Sequence, residues 1–153
     1  MALLALLRRQ HTIFMVTTKK KRISVHAQGG MLRYFFPNST LRIIGHDKGL
    51  IWEGRLQPTN LSIMYDVRIE YNVGSNPNIY VINPKPLPLA KGATKLPHIY
   101  NHEKQHLCLY HRLMNEWNER KMIAKTIIPW TSEWLMHYEY WVTTGVWNGG
   151  GIH

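Results

Sequence analysis

The stretch Tyr65-Asp66-Val67-Arg68-Ile69-Glu70-Tyr71 constrains this chain more than any other. Apolar and charged residues alternate without a fault. A period of two puts Tyr65, Val67, Ile69 and Tyr71 on one side of a strand and Asp66, Arg68 and Glu70 on the other. A strand with one apolar side has to pair with neighbours and have that side covered, which predicts a sheet with helix packed over one face.

The neighbours are close by in sequence. Leu41–Ile44, Leu50–Leu56 and Ile79–Ile82 read as strands, separated by the turn-like Gly45-His46-Asp47-Lys48-Gly49 and by Gly74 to Asn78. Loops this short favour an antiparallel meander over βαβ units. Ahead of them, Ile23 to Phe36 is helical in pattern in spite of Gly29 and Gly30, and Pro37-Asn38-Ser39 ends it. Behind them, Asn83 to Pro97 holds Pro84, Pro86, Pro88 and Pro97, and residues without a backbone donor predict an irregular surface segment. Trp117 to Ile127 is expected to form a helix stopped before Pro129. Thr131 or Ser132 would cap a second helix, with Trp134, Leu135, Tyr138, Trp141 and Val142 at core spacing. The expected fold class is therefore α+β: an N-terminal helix, a four-stranded antiparallel meander, an irregular cysteine-bearing segment and C-terminal helices.

A chain of 153 residues suits one such domain. The net charge of +10 resembles a nucleic-acid signature, but its distribution argues against one. Arg8, Arg9, Lys19, Lys20, Lys21 and Arg22 fall within residues 1–22, which hold no acid. The division expected is a basic extension over 1–22 and a domain over 23–153. No apolar run approaches the roughly 20 residues that span a membrane. The order of the opening residues, apolar Met1 to Leu7 and then Arg8-Arg9, is the reverse of a secretory signal. A single cysteine excludes an internal disulfide and fits a reducing, cytoplasmic setting. The Gly149-Gly150-Gly151 run lacks the strand–loop–helix context of a phosphate cradle and reads as a tail.

Chemistry gathers around Cys108. His98, His102, His106 and His111 all lie within ten positions of it, and any of them could polarise a thiol or carry a proton. The plain alternative is that Cys108 is a small buried apolar residue. A second pattern shares these residues: His102-Glu103-Lys104-Gln105-His106 matches H-E-x-x-H, which on a helix presents two zinc ligands one turn apart with a glutamate base. Nine histidines in the chain make that spacing easy to reach by accident, and no third ligand stands in a familiar frame. Binding of a metal by Cys108 with His98, His102 and His106, without catalysis, would need the same helix. No P-loop and no dinucleotide fingerprint is present, so no nucleotide cofactor is implied and the chain could not adenylate a carboxylate by itself.

Taken together, Trp52-Glu53-Gly54, Tyr65 to Tyr71, Ile79 to Pro84, Pro97-His98, Leu107-Cys108-Leu109-Tyr110, Trp117 and the Trp141-x-x-Thr144-Gly145-x-Trp147 block resemble a known family. The chain from about Ile23 to His153 is similar to bacterial ubiquitin-conjugating-enzyme-like proteins of short type II CBASS antiphage operons, encoded beside a cGAS-like nucleotidyltransferase. The resemblance implies a ubiquitin-conjugating-enzyme-like fold with Cys108 as acyl carrier. Cys108 would hold the C-terminus of the nucleotidyltransferase as a thioester and pass it to an amine, such as a lysine of a target protein. Relatives outside bacteria carry His-Pro-Asn ahead of this cysteine; His98 stands in the histidine's place, and Tyr100 stands where the asparagine would. Tyrosine has one hydroxyl to donate to an oxyanion, and neighbouring Asn101 is a second candidate for that role. His102, His106 and His111 remain supporting candidates. Two other functions stay open at this point: a non-catalytic scaffold of the same fold that binds the nucleotidyltransferase, and a zinc hydrolase through His102, Glu103 and His106.

Overall fold

The alternating segment is a strand, β3 (Tyr65–Asn72), in the computed structural model, which describes residues 21–150. Its four apolar side chains are buried while Asp66, Arg68 and Glu70 are half-exposed on the other face. Residues 1–20 of the expected basic extension lie outside the described residues, as does the end of the glycine run from Gly151.

β2 (Gly49–Leu56) and β4 (Asn78–Asn83) flank β3, and β1 (Thr40–Ile44) pairs with β2, all antiparallel, as the short turns predict. In β2 the residues opposite Ile69 and Tyr71 are Trp52 and Leu50, so the buried faces coincide across the ladder. The sheet does not stop at four strands. Ile99–Asn101 (β5) and His106–Leu107 (β6), expected to be irregular, extend it in the order β1-β2-β3-β4-β6-β5. Strands of two and three residues are too short to display an alternation, and they exist because Tyr80 of β4 offers a pairing partner to His106.

The helix before the sheet, α1 (Val25–Phe35), starts where Ser24 Oγ accepts a hydrogen bond from the Ala27 amide at 3.1 Å. Val25, Gln28, Gly29 and Leu32 form its buried side. Gly29 has a packing reason: a Cβ there would stand 2.8 Å from the Leu41 side chain of β1. Gly30, one position on, faces open space.

The C-terminal third departs from expectation. Trp117 to Ile127 is not a helix but a turn-rich segment with one 3₁₀ turn, Ile123–Lys125. The buried amide of Gln28 explains this. Its Nε2 donates to Lys121 O at 2.9 Å and its Oε1 accepts from Ile123 N at 2.9 Å, so the tertiary partner takes backbone groups that a helix would pair internally. A single helix follows, α2 (Ile127–Thr144), and Pro129 lies in its first turn instead of stopping an earlier one. The first turn is where a missing N–H costs no intrahelical bond. Thr131 is not a cap; it is buried and its hydroxyl donates to Ile127 O at 2.7 Å. Gly145, at φ 76°, ends α2 in a left-handed C-cap with its amide on Trp141 O.

The proline-rich stretch is irregular, as expected, but it is not merely a surface loop, because Leu87, Ala90 and Leu96 enter the core. One apolar cluster joins these residues to α1, α2 and the buried face of the sheet. The architecture is a mixed α+β layer arrangement. Among the described residues, no helix is long and apolar enough to cross a membrane.

Candidate active site

Cys108 follows directly on β6, and its position is set by backbone bonds. Its amide donates to the carbonyl oxygen of His98 at 3.0 Å, and the same oxygen accepts the indole N–H of Trp134 from α2, also at 3.0 Å. His98 therefore ties the cysteine strand to the helix through its carbonyl. To do so it adopts φ +45°, a conformation in which non-glycine residues are uncommon. Its ring stacks on Trp147, with centroids 4.8 Å apart and planes 25° from parallel.

The Cys108 side chain is half-buried, and its sulfur stands 3.7 Å from the Tyr110 carbonyl oxygen. The Tyr100 hydroxyl reaches the same oxygen at 3.4 Å, so phenol and thiol converge on one acceptor. Burial, followed by hydrogen bonding to and the charge of Cys108, pushes the Tyr100 hydroxyl up to about 12. The hydroxyl thus keeps its proton at any physiological pH and is a donor beside the sulfur. Arg112 braces this tyrosine. Its guanidinium lies 4.5 Å from the ring centroid and is itself held by Pro77 O at 3.2 Å and Asn78 Oδ1 at 2.8 Å.

On its other side Cys108 opens into a cleft of about 770 Å³ between the cysteine strand and α2. Trp130, Trp134 and Trp147 supply aromatic wall, and His98, His111 and His137 bring imidazoles to it. The Nδ1 of His111 is buried with no hydrogen-bond partner among the described residues. His137 is 3.7 Å from Glu133 across one turn of α2.

Asn101 and His102 are placed apart from this centre, and His106 meets it through the ring of Tyr100. Asn101 turns its Oδ1 to the Lys104 amide at 2.8 Å and closes the β5–β6 turn. His102 Nδ1 accepts the Leu96 amide at 3.2 Å and so holds the proline-rich loop. His106 projects on the face of Tyr80, its ring 4.7 Å from that of Tyr80 and 5.0 Å from that of Tyr100. Burial first, and then the positive charges of Arg112 and Lys104, push His106 down to about 4.

The H-E-x-x-H pattern does not lie on a helix. Residues 102–105 form the tight turn between β5 and β6, with exposed Glu103 at its tip. The working residue of the pattern is one of its unspecified positions. Gln105, buried and at φ 50°, accepts the Leu87 amide at 2.6 Å and donates to Val81 O at 2.9 Å and Pro84 O at 3.0 Å. Among the described residues, no three His, Cys, Asp or Glu side chains gather as a metal set.

The sequence left His98, His102, His106 and His111 unranked. The structure places His98 and His111 on the cleft of Cys108 and Tyr100 beside the sulfur, and Arg112, His137 and the orienting role of Trp134 had not been anticipated. Trp134 read as core, which it also is. Arg112 carries no pattern at all, since its role depends on where β4 begins.

The fold and site define a class: a one-cysteine α+β protein that presents its thiol between a tyrosine hydroxyl and an aromatic, histidine-lined cleft. Over residues 28–153 the chain matches the sequence model described as type II CBASS E2 protein, and it belongs to that family. It is a CBASS-associated, E2-like protein. No curated protein sequence matches it.

Proposed function

We propose that residues 23–153 form a ubiquitin-conjugating-enzyme-like domain, with residues 1–22 as a basic extension, and that Cys108 carries an acyl group as a thioester. The cargo is the C-terminus of a cGAS-like nucleotidyltransferase, handed to an amine of a target protein in CBASS antiphage signalling within the cytoplasm. The observation that carries this reading is that Cys108 lines a cleft while its sulfur and the Tyr100 hydroxyl converge on one carbonyl oxygen.

The chemistry follows from the atoms present. The thiolate attacks an activated carboxyl terminus, and the carbonyl oxygen becomes an oxyanion in the tetrahedral intermediate. Tyr100 donates to that oxyanion, a contact stronger in the transition state than in the ground state. Sulfur suits the carrier role because a thioester remains reactive to amines while a thiolate leaves readily. His98 acts through its carbonyl and its stacked ring, orienting Cys108. Activation of the carboxyl has to come from outside the chain, which has no nucleotide-binding loop.

Co-expression with the neighbouring nucleotidyltransferase and intact-protein mass spectrometry tests this. The expected results are a thiol-labile adduct on wild type, a more stable ester on Cys108→Ser and none on Cys108→Ala. If all three bind the partner and keep their unmodified mass, the domain is a scaffold and the carrier reading fails.

A further inference from the structure

One lysine already lines the cleft that Cys108 opens into. Lys121 is the one lysine among the described residues that lines it. Its place is set by several contacts. The Lys121 carbonyl accepts from Gln28 Nε2, its amide donates to Asn118 O at 3.0 Å, and its ammonium donates to the Glu116 carbonyl oxygen. Glu116 also faces the cysteine strand, since its Oε2 accepts the His111 amide at 3.1 Å. Glu116 thus links the lysine on one wall to the residue three positions after Cys108 on the other. His111 contributes the Nδ1 that is buried without a partner among the described residues. Lys121, His111 and Cys108 all line one cavity.

We propose that Lys121 is an acceptor built into the protein: an acyl group held on Cys108 passes to the Lys121 side chain and becomes a permanent amide. The inference rests on the thioester reading of Cys108. In the step, the ammonium of Lys121 first gives one proton to solvent. The amine attacks the thioester carbonyl, the C–N bond forms and the C–S bond breaks. The second nitrogen proton ends on the departing Cys108 sulfur, restoring the thiol. No oxidant or cofactor is required. The product carries its own cargo across the mouth of the cleft, so this transfer retires the carrier whenever no outside amine arrives in time. Lys104 and Lys125, which do not line the cleft, lack this placement.

The experiment loads the full chain with a synthetic peptide ending in a glycine thioester, which charges Cys108 by thiol exchange without the nucleotidyltransferase. Adducts are weighed before and after treatment with excess thiol, and the thiol-resistant fraction is mapped by peptide mass spectrometry. On wild type the thiol-labile adduct converts with time to a thiol-stable one located on Lys121. In Lys121→Arg, which keeps the charge and the backbone contacts, the ratio of stable to labile adduct falls at least about tenfold, because a placed amine outruns those reaching the thioester by collision. The inference is overturned if the stable adduct maps to another lysine, if the ratio is unchanged in Lys121→Arg, if wild type stays thiol-labile throughout, or if Cys108→Ala forms the same stable adduct. If wild type takes up no thiol-labile peptide, the carrier reading of Cys108 falls first, and this inference with it.

Discussion

Gln105→Ala removes the side chain that holds the proline-rich loop to the sheet. Three backbone groups lose their partner: the Leu87 amide and the carbonyls of Val81 and Pro84. Gln105 is 2% exposed, so water does not simply replace it. Leaving a buried backbone group unsatisfied costs about 1–3 kcal/mol, and carbonyls tolerate the loss better than amides, so the sum is about 3–5 kcal/mol. For a domain of this size that corresponds to a fall in Tm of roughly 10 °C. Urea denaturation followed by tryptophan fluorescence measures it, with Lys104→Ala at the exposed neighbouring turn position as control. Thermal unfolding gives the second readout. A loss below about 1 kcal/mol would refute the reasoning, since it would mean that the loop is held by its apolar anchors and that the amide network is incidental.

Tyr100→Phe should slow thioester formation about 10- to 100-fold in single-turnover gels, by loss of one oxyanion donor, while partner binding by calorimetry is unchanged. Because the Tyr100 hydroxyl is held near 12, that ratio should be the same at pH 7 and pH 9, and a ratio collapsing at pH 9 would mean that the phenol ionises earlier. His106 has its folded value lowered from 6.5 to about 4, so below pH 6.5 the unfolded chain takes up a proton that the folded chain refuses. Stability should fall as pH drops from 6.5 towards 4 and not further on this account, by about 1–2 kcal/mol after allowing for solvent around the ring. Denaturation midpoints of wild type and His106→Phe across that window check the sign, and parallel curves would refute it. Gly30→Ala, facing open space on α1, should stabilise by about 0.5–1 kcal/mol, whereas Gly29→Ala must move Leu41 and should gain less or lose.

Local pattern was sufficient for the sheet's first four strands, because alternation and turn chemistry act over a few residues and Tyr65 to Tyr71 admits only one reading of its faces. It was likewise sufficient for α1 and for setting Cys108 among nearby histidines, while the places of His98 and Tyr100 came from the family resemblance. It failed wherever a distant partner took the backbone. Trp117 to Ile127 has helical spacing, yet Gln28, more than ninety residues away, claims its amide and carbonyl groups. The H-E-x-x-H spacing describes a helix that the Tyr80–His106 pairing and the buried Gln105 do not allow. By itself the sequence determined that the chain is an α+β protein with one thiol among histidines. Only the tertiary structure decided which of them meet it, because hydrogen bonds and stacking depend on through-space placement: it turned His102 and Asn101 to loop closure, set Arg112 over Tyr100, and brought His111 and Lys121 to the cleft of Cys108.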